Sequence, residues 1–244
     1  QFLYEGDDFT ALLNYHTRDL DGSPIAFRAN VIESGSNDLV DNYEHDVVYQ
    51  DAAVRNTQQV ESEGASLKLE WDISDEYTLT SISGWESAEI YSRADIDGGY
   101  GASYIPHYMG PGFIPFSSES ADGIPEQDQL TQELRLASNF SGDLNYQVGL
   151  FYFDEELTIE NFSYDTFSSP AGALNGYVQQ QQDTTAWAIF GSVDYIFSDK
   201  LKVTAGLRYS DDEKDFVADR TISPIGGGAL YVERSVSDSH VSWD

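Results

Sequence analysis

Six ring-bearing side chains crowd one short stretch of this chain: Tyr100, Tyr104, His107, Tyr108, Phe113 and Phe116, with Pro106, Pro111 and Pro115 set among them. Flat rings on a proline-stiffened segment suit stacking on a sugar or an aromatic chelator, so these six are the candidate ligand-binding residues. The plainer alternative is ring-on-ring packing that closes the segment against its neighbours. Catalysis has no comparable set. G-x-S-x-G, the P-loop, H-E-x-x-H and C-x-x-C are all missing, and carboxylates are so abundant that two side by side do not mark an acid–base pair. The chain is expected to be no enzyme and to hold no cofactor.

Metal chemistry is thinly represented. His16, His45, His107 and His240 are isolated from one another in sequence. His45 stands between Glu44 and Asp46, an arrangement open to a metal, with an exposed loop position as the plainer reading. Asp19-Leu20-Asp21-Gly22 and Asp95-Ile96-Asp97-Gly98 open like calcium loops but lack the later ligands, so a turn-forming role is expected of both. Cysteine is absent, which excludes disulfides and thiolate metal sites.

Charge excludes another class. With 43 Asp and Glu against 12 Lys and Arg, no basic face is available to neutralise nucleic-acid phosphates. Within 21–62 alone stand Glu33, Asp38, Asp41, Glu44, Asp46, Asp51 and Glu61. A solvated rim that resists aggregation and a collector of cations both fit such a concentration. The long connections carry few basic residues (Arg28, Arg55, Arg220, Arg234), which favours a neutral or cationic ligand over an anionic one.

The elements that would position these residues follow from periodicity. Residues 65–73 alternate Ala65, Leu67, Leu69, Trp71, Ile73 against Ser66, Lys68, Glu70, Asp72, the period of a strand. Residues 144–152 and 201–210 repeat the pattern, as do 9–15 and 185–197, although Leu12 and Phe190 interrupt the polar face. Residues 77–93 alternate poorly. The polar faces carry charge (Lys68, Glu70, Glu133, Arg135, Arg208), as a wet lumen requires. The apolar faces end in Trp71, Tyr152, Trp187, Tyr195 and Tyr209, where interfacial aromatic girdles would lie. No apolar run is long enough for a membrane helix.

Connections alternate in length. Those at 5–8, 74–76, 141–143 and 198–199 are tight; those at 21–62, 94–127, 163–181 and 219–236 are long. Outer-membrane barrels have short periplasmic turns and long extracellular loops. The expected fold is therefore all-β, an antiparallel transmembrane β-barrel with about nine strand segments in this chain. Open strand edges are not tolerated in hydrocarbon, so further strands are expected beyond residues 1–244.

Three stretches carry a family resemblance. Gln129-Leu130-Thr131-Gln132-Glu133-Leu134-Arg135-Leu136-Ala137-Ser138, followed by a turn and Tyr146-Gln147-Val148-Gly149-Leu150-Phe151-Tyr152, resembles consecutive strands of proteobacterial TonB-dependent receptors. Residues 197–209, ending Gly206-Leu207-Arg208-Tyr209, and residues 77–85, ending Gly84-Trp85, are similar to further strands of that family. The matches are spread over 9–244. The resemblance implies a 22-stranded outer-membrane transporter with a plugged lumen, of which 1–244 is the central part of the barrel domain. It further implies import of a siderophore, saccharide or vitamin-like ligand in a Gram-negative bacterium. The expected partners are outer-membrane lipid, a small-molecule ligand and the TonB complex, the last through a plug and TonB box outside this chain. A passive porin and a soluble secreted β-rich binding domain are the alternatives.

Overall fold

A computed structural model describes residues 1–28, 31–33, 35–41, 43–50, 53–98, 118–164 and 172–243. Among the described residues nine strands form a single antiparallel sheet in sequence order: β1 (Phe2–Glu5), β2 (Phe9–Gly22), β3 (Thr57–Ser74), β4 (Tyr77–Asp95), β5 (Glu119–Ser138), β6 (Leu144–Tyr164), β7 (Leu174–Ser198), β8 (Leu201–Ile222) and β9 (Leu230–Trp243). A 3-10 turn, η1 (Ala53–Arg55), leads into β3. The sheet is open, with β1 and β9 at its edges.

The expected nine strands and alternating connections are both present, but the strands are much longer than their period-two segments. β7 has 25 residues and β8 has 22, whereas about 9–11 tilted residues cross a hydrocarbon layer. The long connections shrink to 23–56, 96–118, 165–173 and 223–229. The reason is physical. Beyond the apolar portion both faces of a strand are polar, so alternation vanishes while the backbone ladder continues, as in Gln179–Thr185, which pairs with Glu213–Asp219.

Two local devices shape the wall. β5 carries an extra residue against both neighbours around Ile124-Pro125, and Pro, which has no N–H for the ladder, is tolerated inside a sheet at such a bulge. At two of the tight turns, 74–76 and 198–199, the bonding side chain is serine rather than the acids beside it. Ser74 Oγ accepts from the Glu76 N–H at 3.3 Å and Ser198 Oγ from the Lys200 N–H at 3.4 Å.

Candidate membrane wall and mouth

Alternation gives the sheet two chemically distinct faces. On β7, Asp183, Thr185, Trp187 and Ile189 are exposed while Thr184 and Ala188 are buried. Register carries each face across the sheet. Leu69, Ser81, Leu134, Leu150, Ile189, Tyr209 and Val241 lie on one rung of the exposed face. Glu70, Thr80, Arg135, Gly149, Phe190, Arg208 and Ser242 lie on the neighbouring rung of the other face. Leu150 and Leu207 are 54% and 60% exposed, which is what an apolar side chain awaiting lipid shows. Leu69, Leu150 and Leu207 therefore share one face of the sheet, and Lys68, Arg135 and Arg208 share the other.

The top of the apolar belt shifts from rung to rung. Its uppermost aromatic or aliphatic residues are Trp85 and Leu130 on one rung, Tyr152 and Trp187 on the next below, and Tyr209 and Val241 on the one below that. Above them the exposed face continues as Ser87, Asp128, Asp154, Thr185 and Asp211. Strands of a barrel tilt by roughly 35–45°, so a level boundary must cross successive rungs in this way. The short-turn end has its own aromatic line. Tyr77 meets Phe140 at 5.4 Å, Phe140 meets Tyr146 at 6.0 Å, and Tyr195 meets Phe197 at 4.5 Å between centroids. Trp187 to Phe197 runs about 33 Å along the strand and, tilted near 40°, rises about 25 Å, the height of the apolar band in outer-membrane barrels.

The poor alternation of residues 77–93 has a cause here. Ser81, Ser83 and Gln132 lie on the belt face, where unpaired polar groups are costly. Ser83 Oγ donates to Gln132 Oε1 at 2.5 Å, and Gln132 Nε2 donates to Ser81 Oγ at 3.0 Å. The three bond one another across β4 and β5.

The inner face is polar and paired. Lys68 Nζ lies 3.0 Å from Glu70, and Arg135 pairs with Glu133. Its glycines are places where a neighbour lies over the backbone. Glu86 reaches across Gly64 to His16 at 3.1 Å, and a Cβ at Gly64 would meet its carboxylate at 2.1 Å. The Phe190 ring covers Gly149, where a Cβ would lie 2.3 Å from it. Arg208 sits 5.4 Å from the Phe151 ring and 5.6 Å from the Phe190 ring. Phe190, an interruption of the polar face in sequence, is thus the lid over a glycine and a cation–π partner.

At the long-connection end a buried ionic cluster gathers three connections. The Glu119 side chain is fully buried and accepts from Arg93 Nε at 2.9 Å and Arg55 Nε at 2.8 Å. The Arg93 guanidinium lies 3.6 Å over the Tyr164 ring. Asn56 Oδ1 accepts the Asp95 N–H at 3.0 Å, and Asp97 Oδ2 accepts the Ser118 N–H at 2.8 Å. Next to it Tyr91, Phe162, Tyr164 and Tyr177 form an aromatic cluster, with centroids 5.2–6.3 Å apart. Burial, then the Tyr91 hydroxyl, pushes the Tyr164 phenol up to about 12. The hydrogen bond to Glu160 raises Tyr177 to about 12. Sequence reasoning missed this cluster because it placed Tyr164 and Tyr177 in a loop.

The sequence-derived candidates fare unevenly. Tyr100, Tyr104, His107, Tyr108, Phe113 and Phe116 lie outside the described residues. Asp95-Ile96-Asp97-Gly98 does turn: the Asp97 N–H donates to Asp95 Oδ1 at 3.1 Å and Gly98 has φ of 68°. Asp19-Leu20-Asp21-Gly22 does not; it is the end of β2, paired with Gln58–Glu61. Glu61, Arg220 and Arg234 likewise stand on strands rather than in connections. His45 is exposed and lies 2.8 Å from Asp46, and among the described residues no group of three or more His, Cys, Asp or Glu could hold a metal.

Comparison with known proteins places the wall. The family model described as TonB dependent receptor-like, beta-barrel matches residues 2–243. No curated protein matches the chain in sequence. Among solved structures, the ferric yersiniabactin uptake receptor FyuA from Yersinia pestis is similar, with a TM-score of 0.65, 11% identity, and coverage of 97% of this chain and 32% of that one. The ferric-catecholate import receptor Fiu from E. coli K12 gives 0.63 in its closed form, at 16% identity over 97% of this chain and 38% of that chain. Its open form gives 0.61, at 16% identity over 98% and 42%. The chain thus spans about a third to two-fifths of these receptors' length.

Proposed function

Since the chain belongs to the TonB-dependent receptor family, within its β-barrel, we propose that the whole protein is an active outer-membrane importer of a scarce small nutrient. Residues 1–244 are part of one barrel domain, completed by further strands around a plug, with TonB supplying the energy through the plug. The tight turns face the periplasm and the long connections face outside. The observation that carries this reading is the level apolar belt bounded by aromatic lines on the outside of a sheet whose inner face is charged.

The ligand class is a siderophore, a saccharide or a vitamin-like molecule. FyuA and Fiu are named for ferric siderophores, which supports the first. Among the described residues the long connections hold only Arg28 and Arg55 as Arg or Lys, and Arg55 is engaged by Glu119. That favours a neutral or cationic ligand. Recognition is assigned to Tyr100, Tyr104, His107, Tyr108, Phe113 and Phe116, because rings of these types suit stacking on a ligand with flat faces.

The test is growth and uptake by a strain with and without the full-length protein, supplied with ferric siderophores, oligosaccharides and corrinoids in turn. Uptake of one class that requires both the protein and TonB is expected. Uptake that persists without TonB returns the protein to a passive channel. In the full-length protein, Ala at Tyr104, Tyr108 and Phe113 together should weaken ligand binding and leave membrane insertion intact. Unchanged affinity would move recognition elsewhere on the mouth.

A further inference from the structure

We propose that Glu119 is the hub of an electrostatic clasp that joins the described ends of three long connections, at 53–56, at 96–98 with 118, and at 172–173, into one cooperative unit at this end of the sheet. The inference stands on the fold alone and does not depend on what the protein transports.

Register explains how one carboxylate reaches so far. Asp95 pairs with Glu119 and Glu119 pairs with Tyr164, so β4, β5 and β6 end on a common rung. Arg55 enters this rung from the turn before β3, whose first residue, Thr57, pairs with Arg93. Ala121 is the next residue of β5 on the Glu119 side and the cross-strand partner of Arg93; it is 1% exposed. Its small side chain leaves room for the Arg93 guanidinium to reach both Glu119 and Tyr164. Arg55 also lies against Gly172 at the far end of 165–173, where a Cβ would stand 3.5 Å from its Nε. Each of the three connections therefore has an end fastened to the same buried carboxylate, directly or through one arginine.

Glu119 is completely out of water, so its charge depends on both arginines. A buried ion whose partner is removed is left uncompensated, and the loss is far larger than for a surface pair. Release is consequently shared: freeing 23–56 at Arg55 exposes the carboxylate that also holds the ends of β4 and β5. The sheet below has its own ladders and does not depend on the clasp.

Hydrogen exchange read by mass spectrometry on the full-length protein tests this. Glu119→Gln should raise exchange at least about tenfold in peptides covering 53–57, 93–98 with 118–121, and 172–174 together, while the belt portions of β6, β7 and β8 stay unchanged. Arg55→Ala, on a side chain one-third exposed, removes the clasp from its outer side and should deprotect the same three regions even if Glu119→Gln fails to assemble. Combining the two should add little to either alone. Deprotection confined to the segment carrying each substitution, or additive effects in the double variant, would overturn the clasp.

Discussion

Below Trp187, β7 presents Trp187, Ile189, Val193 and Tyr195 on its exposed face; above it, the same face presents Thr185, Asp183 and Gln181. Apart from bulges near the strand ends, both halves are laddered continuously to β6 and to β8. Backbone pairing therefore does not distinguish them, and the environment each half can occupy is decided by the exposed side chains alone. The upper half even works against itself. Asp128, Glu156, Asp183 and Asp215 are direct cross-strand partners on one rung, and like charges so placed repel. In hydrocarbon that rung could not exist; in water and salt the repulsion is screened. The contrast between halves is the difference between a wall built for lipid and one built for an aqueous, ion-bearing layer.

The largest expected effect tests the lower half. Leu207 is on the rung of Val148 and Gly191, near mid-belt, where an outward Arg costs about 2–4 kcal/mol. Leu207→Arg should sharply reduce the assembled full-length protein in outer-membrane fractions. Arg208→Leu, on the inner face, forfeits its ring contacts, about 0.5–2 kcal/mol, and a hydrogen bond to Ser210, and should still assemble well. Equal assembly would reverse the faces.

A smaller effect is expected from the inner surface of that half. Gly149→Val drives a side chain into the Phe190 ring, and overpacking of this kind costs about 1–3 kcal/mol. The urea midpoint of the purified protein should fall, and the double variant with Phe190→Ala should recover part of the loss. No recovery would mean that the ring does not lie over the glycine in solution.

The upper half should respond in the opposite sense. Asp183→Lys places a cation between Glu156 and Asp215 and should stabilise by about 0.2–1 kcal/mol, with the gain shrinking as salt is raised. Leu207→Lys, by contrast, should impair assembly at any salt. A destabilising Asp183→Lys would show that the acidic rung is satisfied by something other than solvent.

The smallest expected effect is a titration. Tyr177 has its phenol raised to about 12 from an ordinary 10.0 by Glu160, so the folded protein keeps a proton that the unfolded chain gives up. Its contribution to stability is full below about pH 10 and is lost as pH rises towards 12. Ultraviolet titration should show late-ionising tyrosine that decreases in Tyr177→Phe, and the upper strands should loosen in that window before the belt does.

Much of the lower half was legible in the sequence. Period-two alternation is a property of neighbouring residues, so Leu69, Leu150 and Leu207 could be set against Lys68, Arg135 and Arg208 without knowing any partner strand. Tight turns at 74–76 and 198–199 were marked by local chemistry, even though serine rather than the acids makes the bond. Residues 77–93 were illegible because the polarity of Ser81 and Ser83 is answered by Gln132 on another strand.

The upper half was illegible for a general reason. Where both faces of a strand are wet, no periodic signal separates strand from loop, and 174–181 and 119–127 read as connections until the ladders of β5, β6 and β7 were seen. What the amino-acid order determined by itself was the β class, the two faces and the placing of the turns, since these depend on residues a few positions apart. Tertiary structure alone decided the rungs, because a register sums pairings between distant segments. Only that register sets Phe190 over Gly149, steps the belt across the tilted strands and brings Arg55, Arg93 and Tyr164 to a single buried glutamate.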